Sequence, residues 1–290
     1  MSAVRPYADL GLALGCDLGT KSDDIYKIRA DLGMRQVPAT KSQAQDPVCI
    51  KGRKEMMRLQ GEKVDVFAMN DAITGYGVAF AADEAWTHKN GSVDNARVVI
   101  QGFGCVGASC AYKLKAMGYR IVGIADAKQL VTCEDGLDVE QLLAHKNQYG
   151  EMDPEYFPEN YVVRPNSEWM DVECEILIPA ALEDVINENT VDRFKASLLV
   201  EAANIPDEVL RKKNVAMVPD FVANAGAIRF FVHCRLCMIE FTPEGVISDI
   251  EKNVRNNTRI LFEEHEKTGR YIRDIAHEKF APTIQSEFEF

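Results

Sequence analysis

Gly102, Phe103, Gly104, Cys105, Val106 and Gly107 stand between the apolar run VVIQ and a helical stretch that reaches about Met117. Such a loop can grip a phosphate anion. The first glycine permits a tight turn, the second lets the backbone approach a pyrophosphate, and the third lets helix and strand pack closely. The helix N-terminus then aims unpaired N–H groups at the anion. Asp126 closes the next apolar run, nineteen residues past Gly107, where a carboxylate accepts from a ribose 2′-OH. Its charge would repel a 2′-phosphate and no arginine stands beside it, so the cofactor read here is NAD rather than NADP, with Lys128 the one reason for caution. The competing reading is structural: the glycines mark a tight turn in a sheet and Asp126 caps the segment that follows. Cys105, at a helix start, carries either an activated thiol or simply a small side chain under the loop.

The elements that must hold this loop follow from the flanking pattern. ARVVIQG, YRIVGIAD, YVVR, CEILIPA, SLLVEAA and VAMVPD are short apolar runs; helical segments lie between them up to Met117, over LDVEQLLAHK, near 187–195 and near 206–213. That alternation predicts an α/β fold, a doubly wound parallel sheet of the Rossmann type covered on both faces. Upstream, helices are expected over 21–33, 51–61 and 74–89, with a loop from Pro38 to Pro47. In the last helix Val78, Ala81, Ala82 and Ala85 recur at helical spacing and Gly91 stops it. Over 242–268, Val246, Ile250, Val254, Leu261 and His265 share one face, so this long helix must lie against something, most simply the first ninety residues.

Charge narrows the partners. Thirty-three basic and forty-five acidic side chains leave −12, which argues against nucleic acid and anionic membranes and for a small molecule or another protein. No apolar run approaches the roughly eighteen residues of a membrane span. The opening MSAVRPYADLGLALG does not read as a secretory leader, so a cytoplasmic location is expected. Eight scattered cysteines read as reduced thiols. Cys234 and Cys237 make one close pair, an incomplete metal shell, so they read as packed helix positions and no metal is expected.

Several segments then fall in a familiar order. Asp17 in GCDLGT, Thr74 in TGYGV, the QGFGCVG loop, IPAAL at 178–182 with Ala180 at its centre, EAAN at 201–204 and PDFVANAG at 219–226 resemble the glutamate/leucine/phenylalanine/valine dehydrogenase family, over roughly residues 10 to 280. The resemblance implies a dinucleotide domain closing against a substrate domain, with the last helices packing back across the hinge. It implies hydride transfer between a nicotinamide and the Cα of an amino acid, through an imino acid that water hydrolyses to a 2-oxo acid. Asp17 matches the catalytic carboxylate, Thr74 the threonine near the nicotinamide amide, Asn204 the asparagine of the cofactor-side loop, and Asn224 the asparagine near the nicotinamide ribose or substrate. Each has a plainer reading. Asp17 is otherwise a turn carboxylate before a helix capped by Thr20 or Ser22, with Asp23 and Asp24 at its positive end. The acids at 17, 23 and 24 suit that solvated helix start better than a metal. Asn224-Ala225-Gly226 equally suits a helix start.

One departure from the family pattern matters. Family members carry lysines well upstream of the aspartate, one anchoring the substrate carboxylate and another polarising the reacting centre. Sixteen residues precede Asp17 here, and Arg5 is the cation among them. A buried substrate carboxylate needs a paired cation, worth several kcal/mol. Lys21, Arg29, Lys51 and Arg53 are candidates, Lys21 lying nearest Asp17. Residues 1–90 are therefore expected to form a shortened substrate-side and hinge segment, 91–226 the dinucleotide domain and 227–290 a helical segment. Three readings follow: an NAD-dependent dehydrogenase of reduced size, acting on an amino acid or another small substrate, with Asp17 as proton carrier and a relocated cation as anchor; one subunit of a split enzyme whose partner chain supplies the lysines; or a non-catalytic NAD-binding protein. A homo-oligomer, a dimer, is the expected assembly in the first case and a hetero-oligomer in the second.

Overall fold

Short runs rich in valine, isoleucine and leucine build the centre of the molecule. In the computed structural model, which describes residues 46–280 except 95, 183–184, 204–207, 212 and 214, they form one seven-stranded sheet. Its strands are β3 Arg97–Gln101, β4 Arg120–Ala125, β5 Gln129–Thr132, β6 Val162–Pro165, β7 Ile176–Pro179, β8 Leu198–Val200 and β9 Ala216–Val218. They lie in the order β6-β5-β4-β3-β7-β8-β9. β1 Lys63–Val64 and β2 Phe67–Ala68 pair separately. Every residue of β7 and β8 is buried, as a sheet covered on both faces requires. Asp17, Lys21, Asn204 and the helix expected at 21–33 lie outside the described residues.

The α/β class is as the alternation predicts, with one correction to the sheet. β4, β3, β7, β8 and β9 run parallel, but β5 runs antiparallel to both its neighbours. Only Asp126, Ala127 and Lys128 separate β4 from β5. So short a link cannot make the crossover a parallel strand needs, and the chain turns straight back.

Helix α1, Pro47–Leu59, starts four residues before the expected 51 because Asp46 caps it: its Oδ1 accepts from Val48 N at 2.7 Å and Cys49 N at 3.4 Å. Helix α2, Met69–Asn90, ends where Gly91 turns left-handed at φ 73°. Val78, Ala81, Ala82 and Ala85 are all fully buried. Small residues let α2 sit at the centre of the helical layer. Gly75 meets α3, Cys105–Ala116, so tightly that a Cβ there would stand 2.1 Å from Ser109 Oγ and 2.3 Å from Val106 O. Helix α4, Val139–Ala144, is the LDVEQLLAHK segment, capped by Asp138.

One expected helix is replaced by a single turn. Over 187–195 there is a single 3-10 turn, Val191–Arg193. Asn187 N donates to Thr190 Oγ1 at 2.9 Å and Asn189 N to Asn187 Oδ1 at 3.0 Å, so side chains take the backbone bonds a helix would need. Near 206–213 the described helix is α5, Glu208–Arg211. The chain then passes through α6, Asp220–Ala223, and α7, Gly226–Arg235, to α8, Pro243–Thr268. Thr242 caps α8, and its stripe of Val246, Ile250, Val254 and Leu261 is fully buried along α2, within the first ninety residues as expected. Arg255 pairs with Asp83 at 2.6 Å and Arg259 with Glu84 at 2.9 Å along the same seam. Helix α9, Ile272–Phe280, packs against β9.

From β3 the chain goes by α3 to β4 on one side, while β7 flanks β3 on the other. The crevice past the carboxyl ends of β3 and β7 is thus the topological switch point, where open α/β sheets bind ligands.

Candidate active site

The glycine loop sits in that crevice. Gly102 adopts φ +100° and donates its N–H to Ala125 O at 2.6 Å. A Cβ on it would lie 2.8 Å from Ala181 Cβ and 2.9 Å from Ala180 O, so the turn runs directly against the segment after β7. At Gly107 a Cβ would stand 2.0 Å from Gly102 O and 3.3 Å from Ile100 Cγ2, which leaves no room for a side chain between helix and strand. Gly104 differs. It heads α3 in an ordinary extended conformation with no side-chain cap, and among the described residues no atom beyond its chain neighbours lies within 4 Å of where its Cβ would be. The N-terminus of α3, whose positive dipole end stabilises an anion, stands beside this space.

Neighbouring residues hold the loop from behind. Phe103 is buried, with the Lys146 ammonium 5.9 Å from its ring centre. Val106 is half-buried against Gly75, and Cys105 is exposed, its Sγ 3.5 Å from Asp71 Oδ1. Gly150, at φ +86°, presses on the loop so closely that a Cβ would fall 2.5 Å from Phe103 O. Nothing in the sequence pattern singled out Gly150.

Four distant stretches of chain meet at this edge. Ala180 N donates to Gln101 O at 2.7 Å, and Ala202 N and Ala203 N both reach Pro179 O, at 3.1 and 3.0 Å. Asn224, between α6 and α7, donates from Nδ2 to Ala202 O at 3.4 Å. Gly226 allows α7 to start against α2: a Cβ there would be 2.2 Å from Ile73 O and 3.3 Å from the Cα of Thr74. Thr74 is thereby set between the glycine-loop helix, which its neighbour Gly75 touches, and the start of α7.

Asp126 ends β4 as a buried cap. Its Oδ1 accepts from Lys128 N at 2.7 Å and Gln129 N at 2.9 Å, and its Oδ2 from Met152 N at 2.7 Å. A carboxylate has about four acceptor positions, so one remains on Oδ2. Beside it Lys128 Nζ lies 2.9 Å from Glu151 Oε2. Each raises the other's preference for charge: the lysine is pushed up and the glutamate pulled down.

Glu201, first residue of EAAN, is a polar group the sequence reading left without a role. It is fully buried at the end of β8, and its Oε2 accepts from Arg273 Nη1 at 2.6 Å and from Asp220 N at 3.1 Å. Arg273 also reaches Asp220 at 3.0 Å. Burial pushes the Glu201 carboxyl up to about 8, against the pull of Arg273. The acid was visible after the run SLLV; its partner, seventy-two residues on in α9, was not.

No three histidine, cysteine, aspartate or glutamate side chains gather as metal ligands among the described residues. Cys234 is buried on α7, while Cys237, at φ 54°, turns its Sγ toward Val48 O at 3.5 Å. No helix among the described residues is long and apolar enough to cross a membrane.

The profile of the Glutamate/Leucine/Phenylalanine/Valine dehydrogenase family matches residues 68–281. An NADP-specific glutamate dehydrogenase of Saccharolobus shibatae is 36% identical over 205 residues, covering 67% of this chain and 47% of that protein. An NAD-specific glutamate dehydrogenase of Staphylococcus aureus is 36% identical over 163 residues, covering 54% of this chain and 38% of its own length. The chain thus spans about half, or less, of the curated relatives it matches. Among solved structures, a hetero-hexameric glutamate dehydrogenase from Thermus thermophilus superposes with a TM-score of 0.65 at 23% identity, over 93% of this chain and 64% of that one. The L-tryptophan dehydrogenase of Nostoc punctiforme gives 0.52 at 18%, over 83% and 72%. These two share the fold. The matched profile, lying over the glycine loop, Thr74, Ala180 and Asn224, shows that the chain belongs to the glutamate/leucine/phenylalanine/valine dehydrogenase family.

Proposed function

We propose that this chain is an NAD-dependent oxidoreductase that transfers hydride between a nicotinamide and the Cα of an amino acid or a related small substrate. The observation that carries the reading is the open space over Gly104, at an uncapped helix N-terminus in the switch-point crevice, with Thr74 and Asn224 at the same edge. The fit to a dinucleotide is good: the positive end of α3 would meet the pyrophosphate, and no side chain of the described residues stands over Gly104.

Bound there, the dinucleotide supplies the hydride acceptor. The chain's own residues do the rest. The N-terminus of α3 and Gly104 would hold the pyrophosphate, and Ala180, Asn204 and Asn224 would serve the nicotinamide end, as the family pattern implies. Asp17 would take the proton that the substrate ammonium loses before Cα–H leaves as hydride, release it to solvent, and then, again a carboxylate, take a proton from the water that adds to the imine on the way to a 2-oxo acid and ammonia. Lys21 pairs with the substrate carboxylate. NAD is favoured over NADP on a firmer ground than Asp126 alone. Lys128, the cation nearest that turn, is held by Glu151, so a 2′-phosphate would meet two acids and one neutralised lysine. The relatives do not decide the matter, since one is NADP-specific and the other NAD-specific.

The reading places the chain in the cytoplasm as a homo-oligomer, a dimer. A second reading is favoured by the hetero-hexameric neighbour: a partner chain supplies the substrate-anchoring lysines. An amino acid screen with NAD and NADP, following absorbance of the reduced cofactor with and without candidate partner chains, tests both. Turnover by the chain alone supports the first, and turnover only on mixing the second. Cofactor binding without turnover in either case would reduce the protein to a nucleotide binder. Asp17→Asn should keep NAD affinity and lower kcat by orders of magnitude; near-normal turnover would remove Asp17 from the reaction.

A further inference from the structure

A second hollow lies at the other edge of the sheet. About 460 Å³ in volume, it opens beside the first residues of β9 and the residues leading into β8, where the ends of α2 and α8 meet the start of α9. The glycine loop is past the opposite, carboxyl ends of the strands, so the strands separate the two sites.

Its walls and rim differ in chemistry. Phe262 and Ile272, both nearly fully buried, line it together with Val215. At its rim stand two lysines, Lys89 in the last turn of α2 and Lys213 before β9. In a chain of net charge −12 they concentrate two cations at one rim. Lys213 donates to Val191 O at 2.8 Å and pairs with Asp192 at 3.0 Å. The Asp192 side chain is 93% exposed, so that pair is screened and readily exchanged for another anion. No ion pair holds Lys89 among the described residues. Glu266, the acid on the lining, is engaged by His88 at 3.3 Å.

Two ammonium groups at one rim can pair with a single carboxylate. Apolar walls of this area call for a hydrocarbon body. We propose that this hollow binds a small organic carboxylate with an apolar body, its charge held by Lys89 and Lys213 and its body seated on Phe262 and Ile272. The site stands apart from the cofactor reading and does not depend on it. Ile272 directly precedes Arg273, whose guanidinium reaches Glu201 beyond the far end of β8, so an occupant touches the same helical turn that is tied to the carboxyl edge.

Isothermal titration of the full chain with phenylacetate, phenylacetamide and phenethylamine tests the proposal. Phenylacetate should bind saturably, and the neutral amide and the cationic amine should bind about tenfold or more weakly. The double variant Lys89→Gln/Lys213→Gln should lose about tenfold in phenylacetate affinity while its melting temperature is unchanged. If that variant does not fold, Lys89→Gln alone, on an exposed residue, gives the same readout in a smaller loss. Absence of binding, equal affinity for acid and amide, or affinity unchanged in a folded variant would each overturn the proposal; the last would move the carboxylate to the substrate cleft.

Discussion

The glycine loop after β3 and the aspartate turn after β4 carry the two halves of one cofactor signal, yet they are built in opposite ways. At Gly104 the described residues leave space beside a helix N-terminus that no side chain caps. At Asp126 it fills its own carboxylate with three backbone N–H groups, from Lys128, Gln129 and Met152. Within the loop itself the contrast repeats: Gly107 is closed against Gly102 O, whereas Gly104 faces nothing. A polar or glycine position marks a ligand when its partners are missing from the fold; when they are present, the same residue is a strut.

Substitutions can sharpen or break this contrast. Gly107→Ala should be the most damaging, because its Cβ would stand 2.0 Å from a backbone oxygen that cannot move without displacing the turn. A loss above about 4 kcal/mol, or no soluble protein, is expected by chemical denaturation. Wild-type stability would contradict the close packing. Asp126→Asn should cost about 2–4 kcal/mol even without cofactor, since it removes the charge and sets an amide donor against Met152 N–H on one side. If its melting temperature is unchanged and only NAD affinity drops, Asp126 is a ligand residue after all.

Glu201 sits at the same edge and is filled on one side only: its Oε2 accepts from Arg273 and Asp220 N, while its buried Oε1 has no hydrogen-bond partner among the described residues. Burial lifts its carboxyl to about 8 from the ordinary 4.5, so the folded chain holds this proton more tightly than the unfolded chain. Its contribution to stability is therefore complete below about 4.5 and is lost progressively as pH rises to about 8. Glu201→Gln should flatten that part of the unfolding free energy profile relative to the wild type; an identical slope in both proteins would show the group titrating normally. The smallest effect concerns cofactor choice. Glu151→Gln frees Lys128 and should raise NADPH affinity relative to NADH by about tenfold or less, as for other exposed pairs. A ratio that does not move would put cofactor selection elsewhere.

Much of the frame was legible because it depends on local pattern. Val78, Ala81, Ala82 and Ala85 with Gly91 fixed α2, and the period of Val246, Ile250, Val254 and Leu261 fixed both α8 and the face it buries. The glycine spacing located the loop and the strand and helix around it. What escaped depends on partners far along the chain or on very short segments. The four residues of β5 carry too little pattern to announce a strand, let alone its reversal. The 187–195 region has helical composition, but Asn187 and Thr190 divert its backbone. Asp126 could be read as ribose ligand or cap because Met152, which fills it, lies twenty-six residues away. Glu201 and Arg273 meet across seventy-two residues, beyond the reach of local pattern.

The central claim is that a dinucleotide pyrophosphate lies over Gly104, and titrating NADH into Gly104→Ala tests it most directly. The residue has an ordinary extended conformation and an empty Cβ position, so the variant should melt with the wild type, within about 0.5 kcal/mol. Its affinity for NADH should nevertheless fall about tenfold or more, because the added methyl occupies the space the pyrophosphate needs. Wild-type NADH affinity in the folded variant would contradict the claim and move the cofactor away from the glycine loop.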